Sequence, residues 1–224
     1  LLISGCAAVP QLPERDYRIV AYVRGRTDIP RIGAEKLTHI NYAFGLVNEE
    51  GEAYVKDEAP AHLAQLNALK AKNPDLKILL SIGGWGADNF SDAALTAASR
   101  DKFARSVASL VKRYAIDGAD IDWEYPAQPG PGIGFRPEDK RNFTLMLQAL
   151  REHLGRDKLL TIASAGGESY FENTEMETLH RYLDFINVMA YDFTGAWSEL
   201  TGHHTPLYRS NLSPDREASV DYIQ

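Results

Sequence analysis

The sequence predicts an α/β protein built around a parallel β-sheet. Short apolar runs of strand length alternate along the chain with longer segments in which apolar residues recur at helical spacing, and this alternation is typical of strand–helix–strand units. The composition is that of a globular domain, because 44% of the residues are hydrophobic and 25% are charged. The chain contains no apolar run of the length that spans a membrane. Its 224 residues are enough to bury a large core without disulfides.

Short apolar runs are predicted to be the strands. In chain order they are Arg18 to Val23, His39 to Phe44, Lys77 to Ile82, Gly118 to Trp123, Leu159 to Ala163 and Phe185 to Ala190. Each is short enough for a strand, and together they predict six parallel strands joined by helices.

Apolar stripes on the intervening segments predict helices that face the core. The stripes are Leu63, Leu66 and Leu69, then Phe103, Val107, Leu110 and Tyr114, and finally Phe143, Leu147, Leu150 and Leu154. Asn73 and Pro74 are expected to end the first helix. Pro137 should open the third helix and Gly155 should close it.

Two architectures fit this order of elements. One is a doubly wound sheet, and the other is a barrel of eight strand–helix pairs of which about six are present. The glycine patterns GxGxxG and GxxxxGK, which mark phosphate binding in many doubly wound folds, do not follow any predicted strand. A complete barrel typically needs about 250 residues.

The charge balance excludes two classes of partner. There are 24 Lys and Arg residues against 31 Asp and Glu residues, and the net charge is -7. Nucleic acids and anionic membrane surfaces both require a basic footprint, so neither is expected to bind. A neutral substrate is compatible with this composition.

The first residues resemble the end of a bacterial lipoprotein signal. Leu1, Leu2 and Ile3 are followed by two small residues and then by Cys6. This resemblance implies that residues 1–5 are removed, that a lipidated Cys6 tethers the protein to a membrane, and that residues 7–16 form the tether. The protein would then lie at the cell surface or in the periplasm, or be secreted. The alternative is a single cysteine without such a role.

A row of acids marks the fourth predicted strand, in the run DGADIDWEYP. Alternate side chains of a strand share a face, so Asp120, Asp122 and Glu124 point one way, and Ile121 and Trp123 point the other. Three carboxylates on an interior face cannot all ionise without a large penalty, so one should hold a proton near neutral pH. We expect Glu124 to hold it, because active sites of parallel barrels lie at the carboxyl ends of strands. Asp122 should share that proton.

Two alternatives for the acidic row are a solvated edge strand and a magnesium or calcium site. The first is disfavoured because the strand is fourth of six in a parallel series. The second is disfavoured because the acids lack the loop spacing of a calcium site. Asp117 precedes the strand and is interpreted as a turn or capping residue. His39, His203 and His204 lack a partner at metal-ligand spacing and are interpreted as structural, and no cofactor is expected.

The acidic run resembles the DxxDxDxE signature of glycoside hydrolase family 18, the chitinases and their relatives. Further motifs resemble this family in the right order between about Tyr17 and Tyr208: AYV at Ala21, NYAF at Asn41, SIGGW at Ser81, MAYDF at Met189 and GHHTPLY at Gly202. The resemblance implies a TIM (β/α)8 barrel over residues 17–224, with only about the first six units present. It also implies a hydrolase acting on chitin or N-acetylglucosamine oligosaccharides. An endo-β-N-acetylglucosaminidase acting on N-glycans, an enzyme acting on peptidoglycan, and a non-catalytic sugar-binding relative are the alternatives.

The resemblance implies a catalytic role for four residues. Glu124 would be the general acid and then the general base, while the N-acetyl oxygen of the substrate attacks the anomeric carbon with overall retention. Asp122 would bind the acetamido N–H and Asp120 would support Asp122. Tyr191 would donate its hydroxyl to the acetamido oxygen.

Substrate-binding residues follow from the same resemblance. They are Asp192, holding the distorted sugar; Trp85 and Trp197, lining the cleft; Tyr22 and Phe44, near its floor; Ser81, bonded to the aspartates; and Met189 in the sixth-strand motif. The family's seventh and eighth strands would lie beyond Gln224. Residues 17–224 alone are therefore expected to have open sheet edges, to be only marginally folded and to be inactive.

Overall fold

The computed structural model describes residues 17–210 and 219–223, and a curled sheet dominates this part of the chain. Its strands are β1 (Val20–Arg24), β2 (His39–Val47), β3 (Ala53–Tyr54), β4 (Lys77–Gly83), β5 (Gly118–Asp122), β6 (Leu159–Ala165) and β7 (Phe185–Met189). The expectations for residues 1–16, including Cys6, lie outside the described residues.

All of the described α-helices except the last lie between two strands in the chain. The helices are α1 (Ala59–Ala68), α2 (Phe90–Leu95), α3 (Ala97–Arg113), α4 (Asp139–Leu154), α5 (Glu168–Glu172), α6 (Met176–Leu179) and α7 (Val220–Ile223). Short 3-10 turns occupy Ile29–Arg31, Ala34–Lys36, Leu69–Ala71 and His180–Tyr182. Among the described residues, no helix combines the length and the hydropathy needed to cross a membrane.

The strand order distinguishes the two architectures. The parallel strands lie side by side in the order β1, β2, β4, β5, β6, β7, which is their order along the chain. A doubly wound sheet reverses its direction at a switch point, and this sheet does not. The arrangement is that of a barrel in which each parallel strand pairs with the preceding parallel strand. In the described residues β1 and β7 form the two edges of this sheet.

All six predicted parallel strands are confirmed, with small shifts at their ends. The sequence analysis missed β3, which pairs in antiparallel fashion with the end of β2 through Leu46 and Tyr54. Strand β2 therefore extends beyond Phe44 to Val47. Two residues are too few to give a periodic pattern, so β3 could not be recognised from alternation.

The outward-facing side chains of β5 bind the helices to the sheet. Ile121 and Trp123 are buried, as the alternation of the acidic strand predicted. The Trp123 ring stacks on Phe90 of α2 at 5.4 Å and meets Phe143 of α4 edge-on at 5.5 Å. This packing leaves the opposite face of β5, with its acids, directed into the curl of the sheet.

The predicted helix stripes are buried in α1 and α4 but are rotated in α3. Phe103 and Val107 are buried as expected, whereas Leu110 and Tyr114 are only partly buried and Val111 takes the buried position. The reason is that α3 packs chiefly against the neighbouring helix α4 rather than against the sheet alone. The apolar stripe of a single helix does not show which neighbouring helix it will pack against.

Acids at the amino ends of the strands join neighbouring strands. Asp117, before β5, accepts hydrogen bonds from the Ile78 backbone N–H at 2.7 Å and from Lys70 Nζ at 2.6 Å. Asp184, before β7, accepts in the same way from the Leu160 N–H at 2.7 Å and from Arg151 Nη2 at 2.6 Å. Asp117 is therefore structural, as its position in the sequence predicted.

Candidate active site

A cleft of about 1710 Å³ opens at the carboxyl ends of the strands. Most of the predicted site residues line it: Phe44, Trp85, Asp122, Glu124, Met189, Tyr191, Asp192 and Trp197. The other three predicted residues, Asp120, Tyr22 and Ser81, form a hydrogen-bonded group beneath Asp122. The structure therefore brings the predicted residues together in two layers.

Asp120 is the centre of the lower layer. Its carboxylate is fully buried and accepts four side-chain hydrogen bonds. Tyr22 Oη and Ser81 Oγ each donate to Oδ2 at 2.8 Å, while Thr161 Oγ1 at 2.5 Å and Asn187 Nδ2 at 3.2 Å donate to Oδ1. Burial raises the pKa of Asp120, and these donors oppose the rise because they favour the ionised carboxylate.

Asp122 lies above Asp120 and is only 4% exposed. Its Oδ1 atom is buried and has no hydrogen-bond partner among the described residues. Burial, followed by the charges of Glu124 and Asp120, raises the pKa of Asp122 to about 8. Burial and the neighbouring carboxylates therefore favour the protonated form of this carboxyl group.

Glu124 follows the end of β5 and is also largely buried. Burial raises the pKa of Glu124, the Tyr125 hydroxyl lowers it, and the charge of Asp192 raises it further. Crowding of the three acids predicted a retained proton on Glu124 that is shared with Asp122. In the structure burial is the first cause for both residues, and the pKa of about 8 belongs to the deeper Asp122.

Two glycines of the SIGGW motif allow β4 to approach β5 closely. Gly83 has a φ of +125°, and a Cβ on it would collide with the backbone carbonyl of Asp122. Gly84 donates its N–H to the same carbonyl oxygen at 2.9 Å, and a Cβ on it would lie 2.9 Å from the Phe44 ring. Both positions therefore require glycine because a Cβ would press against neighbouring atoms, and not because glycine takes part in the chemistry.

Exposed aromatic rings border the cleft. Trp85 is 68% exposed and Trp197 is 67% exposed, although large aromatic rings are usually well buried. The Trp85 ring meets Tyr125 edge-on at 6.2 Å, and Tyr125 in turn meets the buried Tyr170 at 6.1 Å. Such rings offer flat apolar faces of the kind on which sugar rings pack.

The end of β7 supplies Tyr191 and Asp192 to the cleft. Burial and the neighbouring Asp122 and Glu124 raise the pKa of Tyr191, so its hydroxyl stays protonated and can donate a hydrogen bond. Asp192 has a φ of +59°, in the left-handed region. Its Oδ1 lies 2.6 Å from Nε2 of His204, which supports the interpretation of this histidine as structural.

Charged side chains line the part of the cleft next to β1 and β2. They are Arg24, Arg26, Lys56 and Glu58, and the Arg24 guanidinium lies 5.9 Å from the centre of the Phe44 ring. Within residues 17–210 and 219–223, no three His, Cys, Asp or Glu side chains are grouped so that they could hold a metal ion.

Sequence analysis missed three residues that complete the site. Thr161 and Asn187 are polar residues in otherwise apolar parallel strands, and that contrast was the available signal, because a buried polar group needs a partner. Tyr125 carried no such signal. It follows Glu124 in the chain, so strand alternation would direct it away from the cleft that it lines.

Comparison with known proteins gives a consistent result. Residues 18–224 match the family described as Glycosyl hydrolases family 18. Chitinase A1 of Niallia circulans is 46% identical over 167 residues, which cover 70% of this chain and 24% of that protein. The first curated relatives are matched over only 24% to 52% of their own length.

Solved structures agree with the fold. The chitinase domain of the spore coat protein CotE from Clostridium difficile superposes with a TM-score of 0.85 and 38% identity, covering 98% of this chain and 63% of that one. A glycoside hydrolase family 18 N-acetylglucosaminidase from Paenibacillus barengoltzii gives a TM-score of 0.84 and 44% identity, covering 92% of this chain and 63% of that one.

Proposed function

The chain belongs to glycoside hydrolase family 18, and from this premise we propose that its cleft hydrolyses the β-1,4 bonds of chitin and N-acetylglucosamine oligosaccharides. One observation carries the proposal. In an open cleft bordered by exposed aromatic rings, Asp122 presents a buried oxygen without a partner next to Glu124. The names of the similar proteins, chitinases among them, support the same substrate.

The unpartnered oxygen of Asp122 suits the acetamido group of such a sugar. A buried oxygen without a hydrogen-bond partner costs free energy, and an incoming N–H donor removes that cost. The acetamido group carries one N–H donor and one carbonyl oxygen. Asp122 would accept from the N–H, and the Tyr191 hydroxyl would donate to the carbonyl oxygen. Hydrogen bonds at both ends of the acetamido group would hold its carbonyl oxygen in line with the anomeric carbon.

Proton transfer can be derived from the pKa shifts of the pair. In the free cleft burial raises the pKa of both Asp122 and Glu124, so the pair would retain a proton that the two carboxyls share. When the acetamido N–H donates to Asp122, the ionised form of Asp122 is favoured, and the proton moves to Glu124. Glu124 then donates it to the glycosidic oxygen as the bond to the anomeric carbon breaks.

The acetamido oxygen forms the new bond to the anomeric carbon and gives a cyclic oxazolinium ion. The Asp122 carboxylate stabilises its positive charge, and Asp120, held by four donors, supports Asp122 from below. Water then attacks the anomeric carbon and gives up a proton to Glu124, while the bond from that carbon to the acetamido oxygen breaks and the acetamido group is restored. Two inversions at one carbon give a product with retained configuration.

Sugar binding is assigned to the rim of the cleft. Trp85 and Trp197 would pack against the apolar faces of sugar rings, with Phe44 and Met189 completing the apolar lining. Asp192 would accept hydrogen bonds from the distorted sugar. Tyr22 and Ser81 would act through Asp120, because their hydroxyls are bonded to it.

Parallel assays of the full-length protein test this proposal. Chitin oligosaccharides, a high-mannose glycoprotein and a cell-wall preparation are each incubated with the wild type and with the Glu124→Gln variant. We expect the wild type to cleave only the first, and the variant to bind oligosaccharide without turnover. Cleavage of the glycoprotein would instead favour action on N-glycans, and binding without wild-type turnover would favour a lectin.

A second candidate is the stepwise release of single N-acetylglucosamine units. The similarity to the N-acetylglucosaminidase of Paenibacillus barengoltzii favours it. Product lengths distinguish the two candidates. Cleavage within a long oligosaccharide gives several intermediate lengths at early times, whereas stepwise release gives the monosaccharide and a substrate shortened by one unit.

A further inference from the structure

Two loops run side by side from the catalytic strands to the outer helices. Residues 84–89 connect β4 to α2 and carry Trp85, while residues 123–138 connect β5 to α4 and carry Glu124 and Tyr125. At their strand ends the Gly84 N–H is bonded to the Asp122 carbonyl oxygen at 2.9 Å. Further along, Asp88 Oδ1 accepts from the Gly134 N–H at 2.9 Å.

A cross-loop clamp joins the far ends of the two loops, and it consists of Ser91, Asp92, Arg136 and Asp139. Ser91 Oγ donates to Asp139 Oδ1 at 2.8 Å and accepts from Arg136 Nη1 at 2.7 Å. Arg136 Nη2 donates to Asp92 Oδ1 at 2.5 Å, and the Arg136 backbone N–H donates to Asp139 Oδ2 at 2.7 Å. Each loop is therefore fixed at both ends.

The clamp is built around a buried charge. Asp139 is fully buried, and both of its carboxyl oxygens accept hydrogen bonds within the clamp. A buried carboxylate is expensive to leave without partners, so the cluster should hold one arrangement rather than several. None of the four clamp residues lines the cleft.

Trp85 depends on its backbone for its position. Its side chain is 68% exposed, so little packing holds it, and its ring meets Tyr125 of the neighbouring loop. A ring that is fixed before the sugar arrives loses less conformational freedom on binding. Fixing the two loops against each other therefore fixes the Trp85 and Tyr125 rings as one surface.

We propose that Arg136 and Asp139 are positioning residues, and that the cross-loop clamp sets the affinity for the sugar unit that packs against Trp85 and Tyr125. This inference rests on the proposed function, because it assigns a role to residues outside the cleft in the same reaction. The clamp acts mainly on binding through Trp85, and the chemical step should change less because Glu124 closely follows β5, whose end is held by the Gly84 N–H bond to Asp122.

A double-mutant cycle on a chitin hexasaccharide tests the proposal in the full-length protein. Arg136→Gln should raise KM about fivefold and Trp85→Ala about tenfold, while Arg136→Gln changes kcat by less than about twofold. Because Arg136 acts through Trp85, the double variant should be no worse in KM than Trp85→Ala alone. Multiplicative effects on KM, or a loss confined to kcat, would overturn the proposal.

The controls separate positioning from general destabilisation. Arg141→Gln removes an exposed arginine of the adjoining helix α4 that pairs with Glu175 at 3.1 Å, and it should leave KM unchanged. Arg136→Lys keeps the charge but not the forked geometry, so an intermediate KM is expected, and it replaces Arg136→Gln if that variant folds poorly.

Amide hydrogen exchange tests the clamp without any substrate. In Arg136→Gln the amides of residues 84–90 should exchange several times faster, while those of β6 keep the wild-type rate. Unchanged exchange in residues 84–90 would refute the clamp even if chitin is cleaved. If the wild type fails to cleave chitin oligosaccharides while the loop exchange behaves as expected, the proposed function fails and the clamp stands.

Discussion

Thr161 lies directly opposite Asp120 on the neighbouring strand, and its hydroxyl donates a 2.5 Å hydrogen bond to Asp120 Oδ1. Ser81 occupies the equivalent position on the other side and donates to Oδ2. The support of the catalytic row is thus built from cross-strand neighbours in register. Any shift in strand pairing would remove the donors from a fully buried carboxylate.

Replacement of Thr161 by valine should destabilise the protein by about 1–3 kcal/mol, because it removes one donor from a buried acceptor while keeping the side-chain shape. Urea unfolding of the full-length protein measures the change. The Thr161→Ser variant keeps the hydroxyl and should retain more of the stability. Equal losses in the two variants would show that the methyl group, not the hydrogen bond, matters at this position.

The raised pKa of Asp122, about 8, predicts a specific pH dependence of stability. Between about pH 4, where the unfolded side chain ionises, and about pH 8, the folded protein holds a proton that the unfolded chain releases. This contribution to stability is fully present below about pH 4 and is lost as the pH rises towards 8.

The Asp122→Asn variant should lack this pH dependence, because an amide does not ionise. We expect its free energy of unfolding to fall over that pH range by several kcal/mol less than that of the wild type. Asp75→Asn, at an exposed position before β4, is the matched control and should follow the wild-type curve. A wild type and an Asp122→Asn variant with parallel curves would contradict the assignment of the retained proton.

A substrate without the acetyl group on the sugar at the cleaved bond should be hydrolysed at least about 10³-fold more slowly, because the intramolecular nucleophile is missing. The comparison uses defined oligosaccharides that differ only at that unit, with kcat/KM as the measurement. Removing the acetyl group from a distant unit of the same oligosaccharide serves as the control. Equal rates for all three would eliminate the substrate-assisted mechanism.

Gly84→Ala should destabilise the fold by about 1–3 kcal/mol, since Gly84 has a φ of +93° and a Cβ would press on the Phe44 ring. Gly167→Ala is the matched control, because no atom lies within 4 Å of the added Cβ and its φ is -103°. Thermal unfolding of both variants gives the comparison. A Gly84→Ala protein as stable as the control would show that Phe44 moves aside without cost.

The strands and the faces on which their side chains lie can largely be predicted from short-range patterns in the sequence. Strand alternation correctly placed Asp120, Asp122 and Glu124 on one face, and it placed Trp123 on the other, because the period of a strand is fixed by backbone geometry. The NYAF, SIGGW, DGADIDWEYP and MAYDF motifs also contribute residues to one cleft, whereas AYV and GHHTPLY contribute none of its lining residues.

The burial of the acidic side chains and the hydrogen-bond partners of distant residues could not be predicted in the same way. How far each acid is buried decides its pKa, and burial depends on side chains from several strands and loops that no local pattern records. For the same reason the sequence could not show that burial is the first cause of the raised pKa of both Asp122 and Glu124. Arg136 and Asp139 looked like ordinary residues at a helix start, and their partners Ser91 and Asp92 lie more than forty positions earlier in the chain.

Asp117 and Asp184 repeat one arrangement at the amino ends of β5 and β7, and each links a strand backbone to a cation from a different element. These two ion-paired aspartates lie at the end of the sheet opposite the cleft. Insertions or substitutions in the loops around the cleft can therefore occur without removing these hydrogen bonds. The cleft end of the sheet can therefore change during evolution while the hydrogen bonds at the opposite end stay in place.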